Sequence, residues 1–480
     1  MALYDLANMN CATVGAGSLT LSGAVSGYIS FTAAGIADGT IVTYAIADNI
    51  VAGIAGAREI GRGTVGGSGT TLTRTVLKST NANAALVLSG SSQVFITAAA
   101  EDFVQSPSIA LSTTDQANAR TNILAAPIDA MAYLNLAINP FHTVSQQFGS
   151  LLQAPIGGYL TDQNYFSSSG PILSGQQVAN PFPSYPAIPY GVKYIVTTAK
   201  GSLAAGDYIQ ALQFFEGQRM AKLGFGTSQA QPVVIGQMMR SSINLTGYVA
   251  VTNGSSARTY IKQFTLVANT DTWITVIVPG DTAGTWPVDT TKWGSIVFCF
   301  GTGATYQTTA NSWQAGLFLG ASDTTNLGAT LNNQVICSGL VVLPLVTSAL
   351  ADVPGVNDIL RFQRHPDDEL RYCQRYFLKK GGEATYQRFG TGYASSTTNL
   401  YVYDRLPAPM RIVPTVSISA AADFIAAGAA NATLTSIILD NSATESVNYF
   451  GVTSGLVAGQ AYDIAANGTL SARIYLNARM

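Results

Sequence analysis

Thr272-Trp-Ile-Thr-Val-Ile-Val278, followed at once by Pro279-Gly280, is the stretch from which the fold is read. It is dense in β-branched and aromatic residues and is closed by a turn signal, which is how a strand is bounded. Working outward, Lys193-Tyr-Ile-Val-Thr-Thr, Gly247-Tyr-Val-Ala-Val-Thr and Ser295-Ile-Val-Phe-Cys-Phe read the same way. All the tryptophans, Trp273, Trp286, Trp293 and Trp313, lie in this region. Strands and turns in this sequence predict a two-sheet jelly roll over residues 141–348. Its first part, to about residue 192, is rich in Pro, Gly, Ser and aromatics and reads as an ordered but irregular lead-in.

The flanks are also β-rich. Leu19-Thr-Leu-Ser-Gly, Ile41-Val-Thr-Tyr-Ala-Ile, Thr71-Leu-Thr-Arg-Thr-Val-Leu and Val94-Phe-Ile-Thr are separated by Asp38-Gly39 and Gly66-Gly-Ser-Gly69. They predict a small β-domain over residues 1–104. Ser112-Thr-Thr-Asp115 is a helix-start signature. Short helical pieces at 117–126 and 128–138, broken at Pro127, make residues 105–140 a helical joint. Ile128, Met131 and Ile138 share a face there and are candidate contacts with copies of themselves. His365-Pro-Asp-Asp-Glu369 reads as a second helix start, with Lys379-Lys380 at its negative end and Gly381-Gly382 as its stop. Residues 349–380 are thus a charged connector. Residues 381–480, with Pro414-Thr-Val-Ser-Ile-Ser and Leu434-Thr-Ser-Ile-Ile-Leu alternating cleanly, form a C-terminal β-sandwich and distal tip. The fold class expected is mainly β and modular.

Hydrophobic residues make up 47% of the chain and charged ones only 10%, against about a quarter in ordinary globular proteins. The surface must then be hydroxyl, amide, glycine and tyrosine, which suits a large assembly better than a freely diffusing enzyme. No Lys/Arg patch exists to displace counterions, so nucleic acid is not an expected partner. No apolar run approaches the length of a bilayer span, and the first residues lack the pattern of a signal peptide. The cysteines, Cys11, Cys299, Cys337 and Cys373, are scattered without CxxC spacing and are expected as free thiols packed like small apolar groups.

Catalytic and metal-binding patterns are sparse. The histidines are His142 and His365, and no nucleophile motif accompanies either. A glycosidase needs two opposed carboxylates. Asp367-Asp368-Glu369 is explained by the helix start, and Glu216 and Asp281 could oppose each other only through the fold. Asp281 and Asp289 could offer oxygens to a structural calcium ion, but turns account for both. We therefore expect no metal, no cofactor and no enzyme. Sugar binding asks only for an aromatic face and a few polar groups. The candidates are Trp286, Trp313, Tyr386, Tyr393, Tyr401 and Tyr403.

Three segments resemble proteins of tailed-bacteriophage tails. Gly15-Ala-Gly-Ser-Leu-Thr-Leu-Ser-Gly-Ala-Val-Ser-Gly-Tyr28, with Gly69-Thr-Thr-Leu-Thr-Arg-Thr-Val-Leu77, is similar to a module at the start of tail fibres. Leu111-Ser-Thr-Thr-Asp-Gln-Ala-Asn-Ala-Arg-Thr-Asn-Ile123 is similar to a helical joint between fibre modules. Phe215-Glu-Gly-Gln-Arg219, Ile277-Val-Pro-Gly-Asp-Thr-Ala-Gly-Thr-Trp286 and Trp313-Gln-Ala-Gly resemble a carbohydrate-binding-module-like jelly roll of phage proteins. The resemblance implies a homotrimeric tail fibre, made in the bacterial cytoplasm and placed on the virion. Residues 1–104 would hold it to other tail or baseplate proteins, and host surface polysaccharide would be its target. A head fibre, decoration or baseplate protein, and a polysaccharide-depolymerising tailspike, are the alternatives.

Overall fold

The computed structural model describes residues 4–51, 54–99, 102, 134–345, 354–428 and 431–480. They fall in two compact units, Met1–Ile123 and Leu124–Met480. The chain is mainly β, with a few short helices.

In the first unit, strands Ile41–Val51, Ser92–Ile96, Asn8–Cys11, Leu19–Ala24, Thr71–Leu72 and Ile54–Gly66 pair in that order. Ile54–Gly66 then pairs back onto Ile41–Val51, so the sheet closes into a small barrel with no free edge among these strands. Phe31, Tyr44, Leu72 and Val94 fill it. Glu59 is buried there too, and is satisfied: Arg74 donates to it at 2.7 and 2.5 Å, the Tyr44 hydroxyl at 3.0 Å and the Leu86 amide at 2.9 Å. The residue opposite Tyr44 is Gly61, because a Cβ there would collide with the Tyr44 hydroxyl and the Thr75 carbonyl. The turn at residues 66–69 is tied to Asp38, whose carboxylate accepts from the Ser68 and Gly69 amides at 2.9 and 3.2 Å.

The helix expected at 117–126, together with Ile128 and Met131, lies outside the described residues. The second expected helix does not continue through 135–138. Asn135, Leu136, Ala137 and Ile138 are buried without regular structure. Asn135 accepts from the Val342 amide and donates to the Leu340 carbonyl, both at 2.9 Å, so strand Gln334–Pro344 captures this segment before it can coil. Ile138 packs against Cys373 and Tyr376 of its own chain. Its surface is therefore consumed internally and is corrected from an exposed contact with a copy to a core position.

Residues 158–344 form a sandwich. One antiparallel sheet runs Gly158–Thr161, Asn164–Ser169, Tyr208–Glu216, Lys292–Thr302, Leu245–Asn253, Arg258–Leu266, Trp313–Ala315. The other runs Ile172–Ala179, Tyr190–Thr198, Gln334–Pro344, Val233–Ser241, Thr272–Val278. The quoted stretch Thr272–Val278 is an edge strand, and the chain crosses repeatedly between the sheets, as a jelly roll does. Phe166, Tyr194, Trp293 and Phe300 are buried between them.

The helix expected through residue 380 ends earlier, at Pro366–Gln374. Phe377–Lys380 is instead a strand paired with Ile474–Asn477. Arg375 leaves the helix to bind Glu216 of the sandwich, at 2.5 and 2.9 Å. That tertiary pair and the sheet partner outweigh continued coiling. Glu369, inside the helix, is buried with Arg364 at 3.0 Å and accepts from the Asn139 amide at 2.7 Å. The last region pairs a three-stranded sheet, Phe377–Lys380, Ile474–Asn477, Thr415–Ile418, with a seven-stranded one over a common core that includes Leu378, Leu400, Tyr449 and Leu476. The cysteines are free and buried.

Candidate functional site

The seven-stranded sheet of the last region carries the candidate site. Its central strands are Arg388–Ala394, Asn399–Arg405 and Ser446–Val452, with Ser436–Leu439 at one edge. Each alternates, so one set of side chains enters the core and the other faces water. Leu400, Val402, Val447, Tyr449 and Ile437 go inward.

Register decides what the outer set does. Tyr393 stands opposite Tyr401, Tyr401 opposite Phe450, and Phe450 opposite Ile438. Directly opposed residues share a face, so these four form one line across the strands. The Tyr393 and Tyr401 ring centroids are 6.1 Å apart, and those of Tyr401 and Phe450 5.0 Å. Tyr393 is 55% exposed and Ile438 52%. Beside it runs a polar line: Thr391 opposite Tyr403, and Tyr403, 61% exposed, opposite Asn448. Thr391 donates to Asp463 at 2.6 Å, and Arg388 pairs with the same carboxylate. An apolar strip next to hydroxyl, amide and carboxylate groups can stack on a sugar ring and hydrogen-bond its edge.

Three of the residues named from the sequence, Tyr393, Tyr401 and Tyr403, thus meet on one face. Tyr386 does not join them; it is exposed in the turn before Arg388–Ala394, against Gly468. Phe450 and Ile438 were missed, although the alternation in Ser446-Val-Asn-Tyr-Phe-Gly-Val452 carries the signal.

The tryptophan candidates sit elsewhere. Trp286 is buried, with ring centroids of Trp293, Phe225 and Trp313 at 4.4, 5.0 and 5.7 Å. Its indole N–H is satisfied by Asp281 and the Ala283 carbonyl, each at 3.2 Å. It is corrected from a surface platform to a core residue, because its ring is packed among three others and its donor is already satisfied. Trp313 is half-buried and donates to the Pro279 carbonyl at 3.1 Å. Asp281 is no solvated turn: it is buried and receives the Arg258 guanidinium at 2.6 and 3.0 Å. Glu216 is likewise held by Arg375, and by the Tyr376 hydroxyl at 2.7 Å. Each of these acids answers to its own arginine rather than to the other. Asp289 caps Thr291. His142 is buried, and burial lowers its pKa to about 3, so the ring is neutral. His365 is exposed at the helix start, 3.7 Å from Asp367.

No family model and no curated protein matches the chain. Among solved structures, it is similar over 45% of its length to a tailspike protein 4 enzymatically active domain of bacteriophage CBA120, at 8% identity and a TM-score of 0.25. The match spans only 22% of that domain's chain. A family 11 carbohydrate-binding module from Clostridium thermocellum is covered over 96% of its own chain and 41% of this one, at 12% identity and a TM-score of 0.21. An arabinose-bound α-L-arabinofuranosidase matches over 42% of this chain and 26% of its own, at 12% identity and a TM-score of 0.24. The expectation that the chain is not an enzyme is withdrawn here: two of these matched chains are named as an enzymatically active domain and an α-L-arabinofuranosidase, and at TM-scores of 0.25 and 0.24 neither lends this chain an activity. The jelly-roll assignment itself rests on the strand order.

Proposed function

We propose that the chain is a glycan-binding fibre protein of a tailed-phage particle, and that its outer face at Tyr393, Tyr401 and Phe450 takes the rings of a host surface polysaccharide. The observation that carries this reading is the outward-facing aromatic line, exposed at Tyr393 and half-buried at Tyr401 and Phe450, with its polar neighbours Thr391, Tyr403 and Asn448. Cross-strand ring contacts stabilise the sheet only modestly and leave the outer ring faces in water, whereas a pyranose offers an apolar face to match them. Residues 1–104 would anchor the fibre to tail or baseplate proteins, and the expected assembly is a homotrimer whose repeated weak sites gain avidity. The sequence motifs similar to fibre modules support both points.

The test is binding of the purified protein to host cells and to extracted host polysaccharide. Tyr401→Ala and Tyr393→Ala should each weaken binding by roughly threefold to tenfold, as loss of one stacking ring implies. Unchanged binding in the double variant removes this face from the reading. Following the length of the polysaccharide in the same incubation shows whether contact is accompanied by cleavage.

A further inference from the structure

A recess lies within the same compact unit, lined by none of the residues of the aromatic row. Its floor is the outer face of the three-stranded sheet. Lys379 and Ser417 both stand opposite Tyr475, and Phe377 opposite Asn477, so these side chains point the same way. Its wall is the segment at residues 145–151, including Gln146 and Gln147, and the space enclosed is about 630 Å³.

The lining is cationic. Lys379, Arg473 and Arg479 all border the recess, and no carboxylate among the described residues does. In a chain of 24 basic and 26 acidic residues, most buried acids described above hold a cation of their own. Lys379 and Arg473 have no ion-pair partner among the described residues; the Arg473 guanidinium donates to the Ser471 carbonyl, at 3.2 Å, and its backbone amide to the Ser419 hydroxyl. Arg479 is built in more firmly. Its guanidinium lies 3.7 Å from the centroid of Phe377 and 4.4 Å from that of Tyr159. It donates to Gln147 at 2.8 Å, yet its Nε is buried without a hydrogen-bond acceptor. One acid stands behind the wall: Asp162, buried and bound by the Gln146 amide and side chain at 2.8 Å each. It offsets part of the Arg479 charge and leaves Lys379 and Arg473 uncompensated.

Like charges gathered around a concave, partly desolvated space cost the fold energy and concentrate anions. The rest of the lining narrows the anion. Phe377 and Tyr475 are stacked at 5.9 Å, and amides and hydroxyls surround them. Such a mixture suits a ring with hydroxyl groups better than a bare ion or a nucleic-acid backbone, which would need a longer cationic track. A guanidinium fork matches a planar carboxylate.

We propose that this recess binds the carboxylate of an acidic saccharide, with Arg473 and Lys379 as its principal charge partners. The assignment stands apart from the aromatic row, so Tyr401→Ala serves as the control that separates the two.

The test is calorimetric titration of the full chain with trigalacturonate, sialyllactose and a hyaluronan tetrasaccharide, against lactose and maltotriose as uncharged probes. At least one acidic probe should bind at low salt, and more weakly at about 0.5 M salt, where the Debye length shrinks to a few ångströms. Arg473→Gln and Lys379→Gln should each weaken that binding by roughly tenfold to a hundredfold, Arg473→Lys by less, and Tyr401→Ala not at all. Both charge-removing variants change half-exposed side chains, and an unchanged melting curve certifies the fold. Failure of every acidic probe, equal affinity for the uncharged ones, equal affinity for inorganic phosphate, or full binding by the Arg473→Gln, Lys379→Gln double variant each overturns the proposal.

Discussion

At the scale of single residues, the low charge content concentrates importance in the few ions that are buried. Glu216 is 2% exposed and depends on Arg375 and Tyr376. Arg375→Ala leaves that carboxylate without its counter-charge and should cost about 3 kcal/mol, less whatever solvent reaches the partly exposed site, read as a lower urea midpoint. His142 gives a pH signature. Its folded pKa is depressed to about 3 by burial, against about 6.5 when unfolded. The unfolded chain therefore binds the extra proton first as pH falls. The stability from keeping the ring neutral is complete above pH 6.5 and is lost progressively down to about pH 3. His142 has φ of +54°, a conformation asparagine accepts. His142→Asn should keep the fold and flatten that acid limb in melts taken across the range. Gly61→Ala, which drives a methyl into Tyr44 and the Thr75 carbonyl, should destabilise the N-terminal barrel by about 3 kcal/mol.

At the scale of elements, strands were legible where they alternate or are bounded by turn signals. Thr272–Val278, Leu245–Asn253 and Lys292–Thr302 stand near where their sequences put them. Phe377–Lys380 was not legible, because Leu-Lys-Lys before Gly-Gly also makes a good helix end. Only the distant strand Ile474–Asn477 decides between the two. Residues 135–138 misread for a similar reason: their helical spacing is overridden by Asn135 bridging Gln334–Pro344. The candidate site was half legible. Tyrosines in the last region could be named, but which of them line up depends on cross-strand register, which no single strand contains. Ile474–Asn477 lies between Phe377–Lys380 and Thr415–Ile418. Leu476→Asp, placing a charge in the core of that central strand, should unfold the last region and expose it to protease while the N-terminal barrel stays resistant.

At the scale of the whole molecule, weak net charge and many tyrosines describe a chain whose surface is hydrated without being strongly electrostatic. The trimer proposed for it should scatter light as three times 50.1 kDa, and a monomer would refute that state. Ile138 can take no part in the contact, since its own chain covers it. The buried thiols add one more consequence. Cys11 lies in the first unit, Cys299 and Cys337 in the sandwich, and Cys373 on the buried face of the helix Pro366–Gln374, against Ile138 and Tyr376. Burial raises the pKa of Cys299 to about 12 and pushes the thiols of Cys337 and Cys373 up as well. None can react until its surroundings open. A thiol-reactive dye is thus a ready-made clock for the molecule, and the order in which the four sulfurs are labelled tells which module breathes first.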